Sequence, residues 1–165
     1  GLIIDNRYNG GGASDVLLNS LGYFTSGPVG TFIENREQIL LRAGRQQDTR
    51  FQNLPLVVLI GPGTASFGEV FSGALKDLGR AYLIGEQTEG NVEVLSIFDL
   101  SDGSRAWIAT STFRPLNHSD QNWEETGIIP DRTVRSAWDE FTLETDPAVL
   151  SALQYFDGTL SNTNP

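Results

Sequence analysis

Cysteine and methionine are both absent from these 165 residues, and histidine and lysine occur once each. Without cysteine the chain can form neither disulfides nor thiolate metal sites, and one imidazole among scattered carboxylates lacks the spacing of a metal centre, so no metal is expected. Cysteine-free chains occur on both sides of the membrane, which leaves the compartment open. No apolar run approaches the roughly 20 residues of a membrane-spanning helix; the longest, Pro55 to Ile60, has the length of a strand. Positive charge is also short. Ten arginines and Lys76 are scattered against 21 acidic residues, for a net charge of −10 and a pI near 4.4. An acidic chain without a basic stripe repels nucleic acid and anionic lipid, which argues against both as the main partner. There is no internal repeat, no initiator methionine and no signal peptide. Gly1-Leu2-Ile3-Ile4-Asp5 reads as if it opens inside a strand, so the chain is expected to be a piece of a longer polypeptide.

What is present fits one globular domain, with 39% hydrophobic residues to fill a core. Leu2-Ile3-Ile4 and Pro55 to Ile60 are apolar without alternation, as in strands of a parallel sheet covered on both faces, and Ala81 to Gly85 is a third short apolar strand. Helices are expected from about Ser14 to Leu21, from Ser66 to about Leu78 with Gly79 as the stop, and after Asp146-Pro147, where Val149, Leu150, Leu153 and Phe156 share one side. Val29 to Glu34 and Gln38 to Arg42 read as two strands around a turn at Asn35-Arg36-Glu37. Val92 to Leu100 and Arg105 to Thr112 flank the hairpin signal Ser101-Asp102-Gly103-Ser104. Ala43 to Asn53 and Phe113 to Asn122 read as loops, and the Trp123 to Asp131 stretch continues into Val134. The order of strands, turns and helices predicts an α/β layered fold, a mixed sheet with mostly parallel core strands and flanking helices. Residues 1–156 form the core and 157–165 a polar tail.

Two turns are candidates for chemistry. After the first strand, Asn6-Arg7-Tyr8-Asn9-Gly10-Gly11-Gly12 places three glycines where the backbone must bend sharply or approach another group closely. A plain strand-to-helix loop explains them equally well. After the longest apolar run, Gly61-Pro62-Gly63-Thr64-Ala65-Ser66-Phe67-Gly68-Glu69 puts a hydroxyl at a strand-to-helix corner. Free N–H groups of a helix start can stabilise an oxyanion there, and Ser66 can be a nucleophile. Ser66 with Glu69 three residues on also spells a capping box. His118, in the polar stretch Leu116-Asn117-His118-Ser119-Asp120, is the sole imidazole and a candidate base.

Taken together, Asp5, Arg7, Asn9, Gly11 and Gly12; Pro55-Leu56-Val57-Val58-Leu59 with Gly63-Thr64-Ala65-Ser66 and Glu69; Lys76-Asp77-Leu78-Gly79-Arg80-Ala81; Gly85-Glu86-Gln87-Thr88; Asp102-Gly103-Ser104; and Gly127-Ile128-Ile129-Pro130-Asp131 resemble the catalytic core of the C-terminal processing (tail-specific) serine peptidases and their tricorn relatives. Nearly the whole chain is covered. The resemblance implies a crotonase-like spiral of ββα units, Ser66 as nucleophile, and an oxyanion hole from the Gly11-Gly12 turn and the Phe67 N–H. It implies an extended peptide or protein substrate, no cofactor, and an extracytoplasmic setting, and it is silent on oligomeric state. Asp77 matches a position that supports the site.

One departure stands out. The family's base lysine corresponds to Asn91, which cannot take a proton, and Lys76 lies ten residues along the helix from Ser66, about 15 Å away. The tricorn group resembles a serine-histidine-glutamate arrangement with the histidine from an earlier segment; Glu124, three residues before Gly127, stands at its glutamate position and would orient such an imidazole. The alternative is a catalytically inactive relative that binds a peptide or an apolar ligand.

Overall fold

The computed structural model describes residues 1–158, apart from 35, 36, 46, 47 and 138. Strand β1 (Leu2–Asp5), helix α1 (Ser14–Leu21), strands β2 (Pro28–Glu34), β3 (Glu37–Arg42) and β4 (Leu56–Ile60), helix α2 (Phe67–Asp77), strands β5 (Tyr82–Gly85), β6 (Val94–Asp99), β7 (Arg105–Pro115) and β8 (Arg132–Thr133), and helix α3 (Pro147–Phe156) follow in chain order. The helices and the hairpin stand where periodicity and turn chemistry put them. The turn expected at residues 35–37 falls mostly outside the described residues, as does the tail beyond residue 158.

A single mixed sheet was the expectation; the structure separates two. One runs β1-β4-β5-β8 and is parallel throughout, while the other runs β3-β2-β7-β6 and is antiparallel. The reason is that the two hairpins satisfy one another: β2 pairs with β7, Phe32 opposite Phe113, instead of adding to the parallel sheet.

All five residues of β4 are buried, and their alternation sorts two cores. Leu56, Val58 and Ile60 face α1 and α2, packing with Leu17, Leu21, Val70, Ala74 and Leu75. Val57 and Leu59 face α3, packing with Ala148, Val149 and Ala152. A strand covered on both faces needs no polar alternation, which is why the sequence showed none. Each such side chain contributes roughly 1.5–3 kcal/mol of burial.

The antiparallel sheet closes over the start of α2 through aromatic contacts. Phe32 lies 6.1 Å from Phe67 and 5.4 Å from Phe113, and Phe113 lies 5.3 Å from Trp123. This corrects the loop expected from Phe113: β7 runs on to Pro115 because Phe113, fully buried, is needed in the core opposite Phe32. Within the expected loop 43–53 a short 3₁₀ turn, Thr49–Phe51, brings Phe51 against Phe24. The carboxyl ends of β1 and β4 thus open onto the turns carrying Gly10 to Gly12 and Ser66, where ligands bind in parallel α/β sheets.

Candidate active site

Ser66 occupies an unusual backbone state. Its φ is 53° and ψ −128°, and Glu125 is the only other described non-glycine residue with positive φ. Such a conformation costs of order 1–3 kcal/mol and persists only where neighbours enforce it. The enforcing contacts are on the page. The Ser66 N–H donates to the Asn91 carbonyl at 2.7 Å and to Glu69 Oε2 at 3.2 Å. The carboxylate half of the capping box is therefore made. The hydroxyl half is only a loose approach, since the Glu69 N–H has the Ser66 carbonyl as its acceptor at 2.9 Å. A sharp strand-to-helix corner that holds a serine in strain can present a nucleophile.

The glycine turn meets this corner directly. A methyl on Gly11, whose φ is +101°, would lie 2.6 Å from Ser66 Cβ, 2.9 Å from its Oγ and 3.1 Å from the Phe67 nitrogen. The turn is pinned on both sides. The Asn9 carbonyl accepts from the Ala65 N–H at 3.0 Å, and Asn9 Oδ1 accepts from the Gly11 N–H at 3.0 Å. Asn6 donates to the Gly68 carbonyl and to Ser72 Oγ at 2.9 and 2.7 Å, and its carbonyl accepts from Thr64 Oγ1. The Gly11 N–H is thus occupied, whereas those of Gly12 and Phe67, the latter first in its helix, have no acceptor among the described residues. Such free donors beside a hydroxyl are suited to a developing oxyanion.

Glu69 does more than cap. Fully buried, it accepts from the Gly90 and Asn91 N–H groups at 2.8 Å each and from the Thr88 hydroxyl, in addition to Ser66. Four donors around one buried carboxylate hold the 88–91 loop against the corner and bring Asn91 beside Ser66 by its backbone. Its side chain remains an amide, exposed to solvent. Glu124 lies on the same side of the site: its Oε2 accepts from the Val92 N–H at 2.8 Å. A hydrogen bond with Glu124, aided by burial and by repulsion from the same carboxylate, pushes the Glu93 carboxyl above the usual carboxylate range.

Two candidates fall elsewhere. Asp77 ends α2, eleven residues from Ser66 and thus about 16 Å along the helix. Its carboxylate accepts from the Asn117 N–H at 2.8 Å and pairs with His118 Nδ1 at 2.6 Å. His118 is therefore held to Asp77, lining a cavity of about 690 Å³ with Trp123 and Ile129 at the far end of the helix. A smaller cavity of about 330 Å³ adjoins the Ser66 corner, sharing Gly11, Gly12 and Phe67 and walled by Val16, Tyr23 and Phe71. Among the described residues no cluster of histidine and carboxylate side chains could hold a metal ion.

Sequence reasoning named Glu69 as a capping residue and, with Thr88, as a family landmark, but missed the bonds that join the two, the contacts of Asn6 and the Arg7–Asp146 pair. A carboxylate inside an otherwise apolar helix face was the one available signal for Glu69. For the others the partners are too distant in sequence to leave one.

Residues 1–134 match the family described as Peptidase family S41. A carboxyl-terminal-processing protease of Synechocystis is 33% identical over 150 residues, covering 90% of this chain and 34% of that protein. The solved photosystem II D1 C-terminal processing protease superposes with a TM-score of 0.72 at 29% identity, over 81% of this chain and 34% of that one. The tricorn protease, at 22% identity and a TM-score of 0.62 over 96% of this chain and 15% of its own, shares the fold. The chain spans about a third of the length of the processing proteases it matches.

Proposed function

The chain belongs to peptidase family S41, and on that premise we propose that it is the core of a serine endopeptidase in which the Ser66 hydroxyl attacks the carbonyl of an extended peptide, forming an acyl-enzyme. The observation that carries this reading is the strained Ser66 corner, with Gly11 closed against its Oγ. The tetrahedral oxyanion accepts from the Phe67 and Gly12 N–H groups. Gly11 contributes the absence of a side chain rather than a donor. The apolar cavity beside the corner receives the side chain that precedes the scissile bond, and favours an apolar one.

The proton acceptor lies beyond these residues. Asn91 cannot serve, His118 is turned to Asp77, and Glu124 stands ready to orient an imidazole delivered from elsewhere in a chain of the relatives' length. Asp77 holds the Asn117-His118 segment and supports the site only through α2. The two-sheet layering with helices between supports a crotonase-like spiral of ββα units. The partner is an extended peptide or protein, and the extracytoplasmic setting rests on the resemblance alone.

A fluorophosphonate probe applied to the protein at its relatives' length tests the proposal. Labelling abolished by Ser66→Ala is the expected result. An intact, folded protein that takes no label would sink the enzyme reading. It would favour the second one, a binding relative that holds a peptide or apolar ligand in the same cavity, for which the amide at position 91 is the supporting observation.

A further inference from the structure

The Arg7 guanidinium makes five hydrogen bonds to its surroundings. Only 6% of it is exposed, deep below the turn that carries Asn9, Gly11 and Gly12. Its Nε and Nη2 donate to the two oxygens of Asp5 at 2.9 and 2.6 Å. Its Nη1 donates to Asp146 Oδ2 at 2.7 Å, Ser136 Oγ at 2.9 Å and the Ser136 carbonyl at 3.2 Å. Asp146 is no loose counter-ion: its other oxygen accepts from the Ser136 hydroxyl and from the Ala148 N–H at 2.9 Å, which makes it the cap of α3. The fork therefore ties the end of β1 to residues 129 and 139 positions away.

The tie reaches the site through backbone. A methyl on Gly63 would lie 2.9 Å from the Arg7 carbonyl, so Arg7 also packs on the turn leading to Ser66. Two residues later Asn9 fixes both Ala65 and Gly11. Among the described residues the hydrogen bonds of 10–13 are local, from the Gly11 N–H to Asn9 Oδ1 and from the Leu17 N–H to the Ala13 carbonyl, so the direction in which the turn leaves β1 decides where Gly11 and Gly12 stand over Ser66. A planar guanidinium with fixed donor directions sets an orientation, which an apolar anchor or a lysine does not.

We propose that Arg7 is a positioning residue for the Gly11-Gly12 turn, and that Ser136 and Asp146 make the C-terminal helix α3 part of the frame that holds the oxyanion donors. This rests on the peptidase reading for its catalytic consequence, but not for the positioning itself.

The test compares wild type with Arg7→Lys, Ser136→Ala and Asp146→Asn in the whole protein. It measures the NMR order parameters of the Gly11 and Gly12 amides, exchange of the Ala65 amide, and the rate of fluorophosphonate capture at Ser66. In Arg7→Lys the glycine order parameters are expected to fall below about 0.6. Ala65 exchange should quicken at least tenfold and capture slow at least tenfold, while amides of β4 exchange as in wild type. Ser136→Ala gives smaller shifts in the same direction and decides the matter if the other variants do not fold. Unchanged glycine and Ala65 readouts in a folded variant overturn the proposal, as does quickened exchange spread equally over β4, which would mean that Arg7 serves global stability alone. A wild-type protein that captures no probe refutes the peptidase reading, and the amide readouts still judge the positioning.

Discussion

Gly11 approaches Ser66 so closely that a single added methyl would stand 2.6 Å from Ser66 Cβ and 2.9 Å from its Oγ. Real side-chain carbons do not tolerate that separation, and the φ of +101° at Gly11 disfavours any side chain. Gly11→Ala should therefore leave the two cores intact and displace the turn. Losing one oxyanion donor costs about 3 kcal/mol of transition-state stabilisation, a hundredfold or more in rate. Probe capture by Ser66, measured beside the melting temperature, checks this; a variant that labels at the wild-type rate would contradict the assignment of the turn.

Glu69 is the second fulcrum. Replacing it by alanine removes the acceptor of the Gly90 and Asn91 N–H groups and of the Thr88 hydroxyl, while the Ser66 N–H keeps the Asn91 carbonyl. Unsatisfied buried donors cost about 1–3 kcal/mol each before relaxation admits water. Urea unfolding should show a loss of about 3 kcal/mol or more. Glu69→Gln retains an acceptor and should lose less.

The Asp146 carboxyl gives a pH dependence with a definite sign. Burial raises its pKa, but hydrogen bonds from Ser136, Arg7 and the Ala148 N–H outweigh that and hold it below the usual carboxylate range. A depressed folded-state pKa contributes stability that is present above the unfolded value near 3.9, and that is lost as pH falls through the folded value. Asp146→Asn should thus destabilise by about 2–4 kcal/mol at pH 7, leaving Arg7 without its buried partner. The difference from wild type should shrink as pH falls from the unfolded value through the lower folded one, where Asp146 itself becomes neutral. Chemical denaturation across that range measures it.

Glu93 has the opposite sign. Its hydrogen bond with Glu124 favours a protonated carboxyl, so its folded pKa lies above the unfolded one. The corresponding stability is present at low pH and is lost as pH rises through the folded value. Glu93→Gln mimics the neutral form and should raise the melting temperature by about 1–2 °C at pH 8 while changing little at pH 4.

His118 pairs with Asp77 at the end of α2 remote from Ser66. His118→Ala should leave fluorophosphonate capture at Ser66 within about twofold of wild type, a free-energy change of less than about 0.5 kcal/mol. A large loss of capture in a folded variant would reinstate His118 as the base.

The residues themselves determined a good part of this protein. The unbroken apolar runs Leu2-Ile3-Ile4 and Leu56 to Ile60 announce strands covered on both faces, because burial leaves no room for polar alternation. Local chemistry likewise announces the Ser66 corner, the Gly79 stop and the Asp146-Pro147 start, each depending on backbone preferences within a few neighbours. The order of short motifs carried the family. Only the tertiary structure decided the rest. It chose which glycine keeps a free N–H, whether Ser66 caps or stands strained, which sheet β7 joins, and why Asp77 and His118 leave the site while Glu69 and Arg7 enter its frame. Those outcomes depend on polar groups meeting across 20 to 140 residues of chain. Hydrophobic pattern specifies which side chains are buried, but a donor and its acceptor share no periodicity, and nothing local reveals which of 21 acidic residues will meet which arginine.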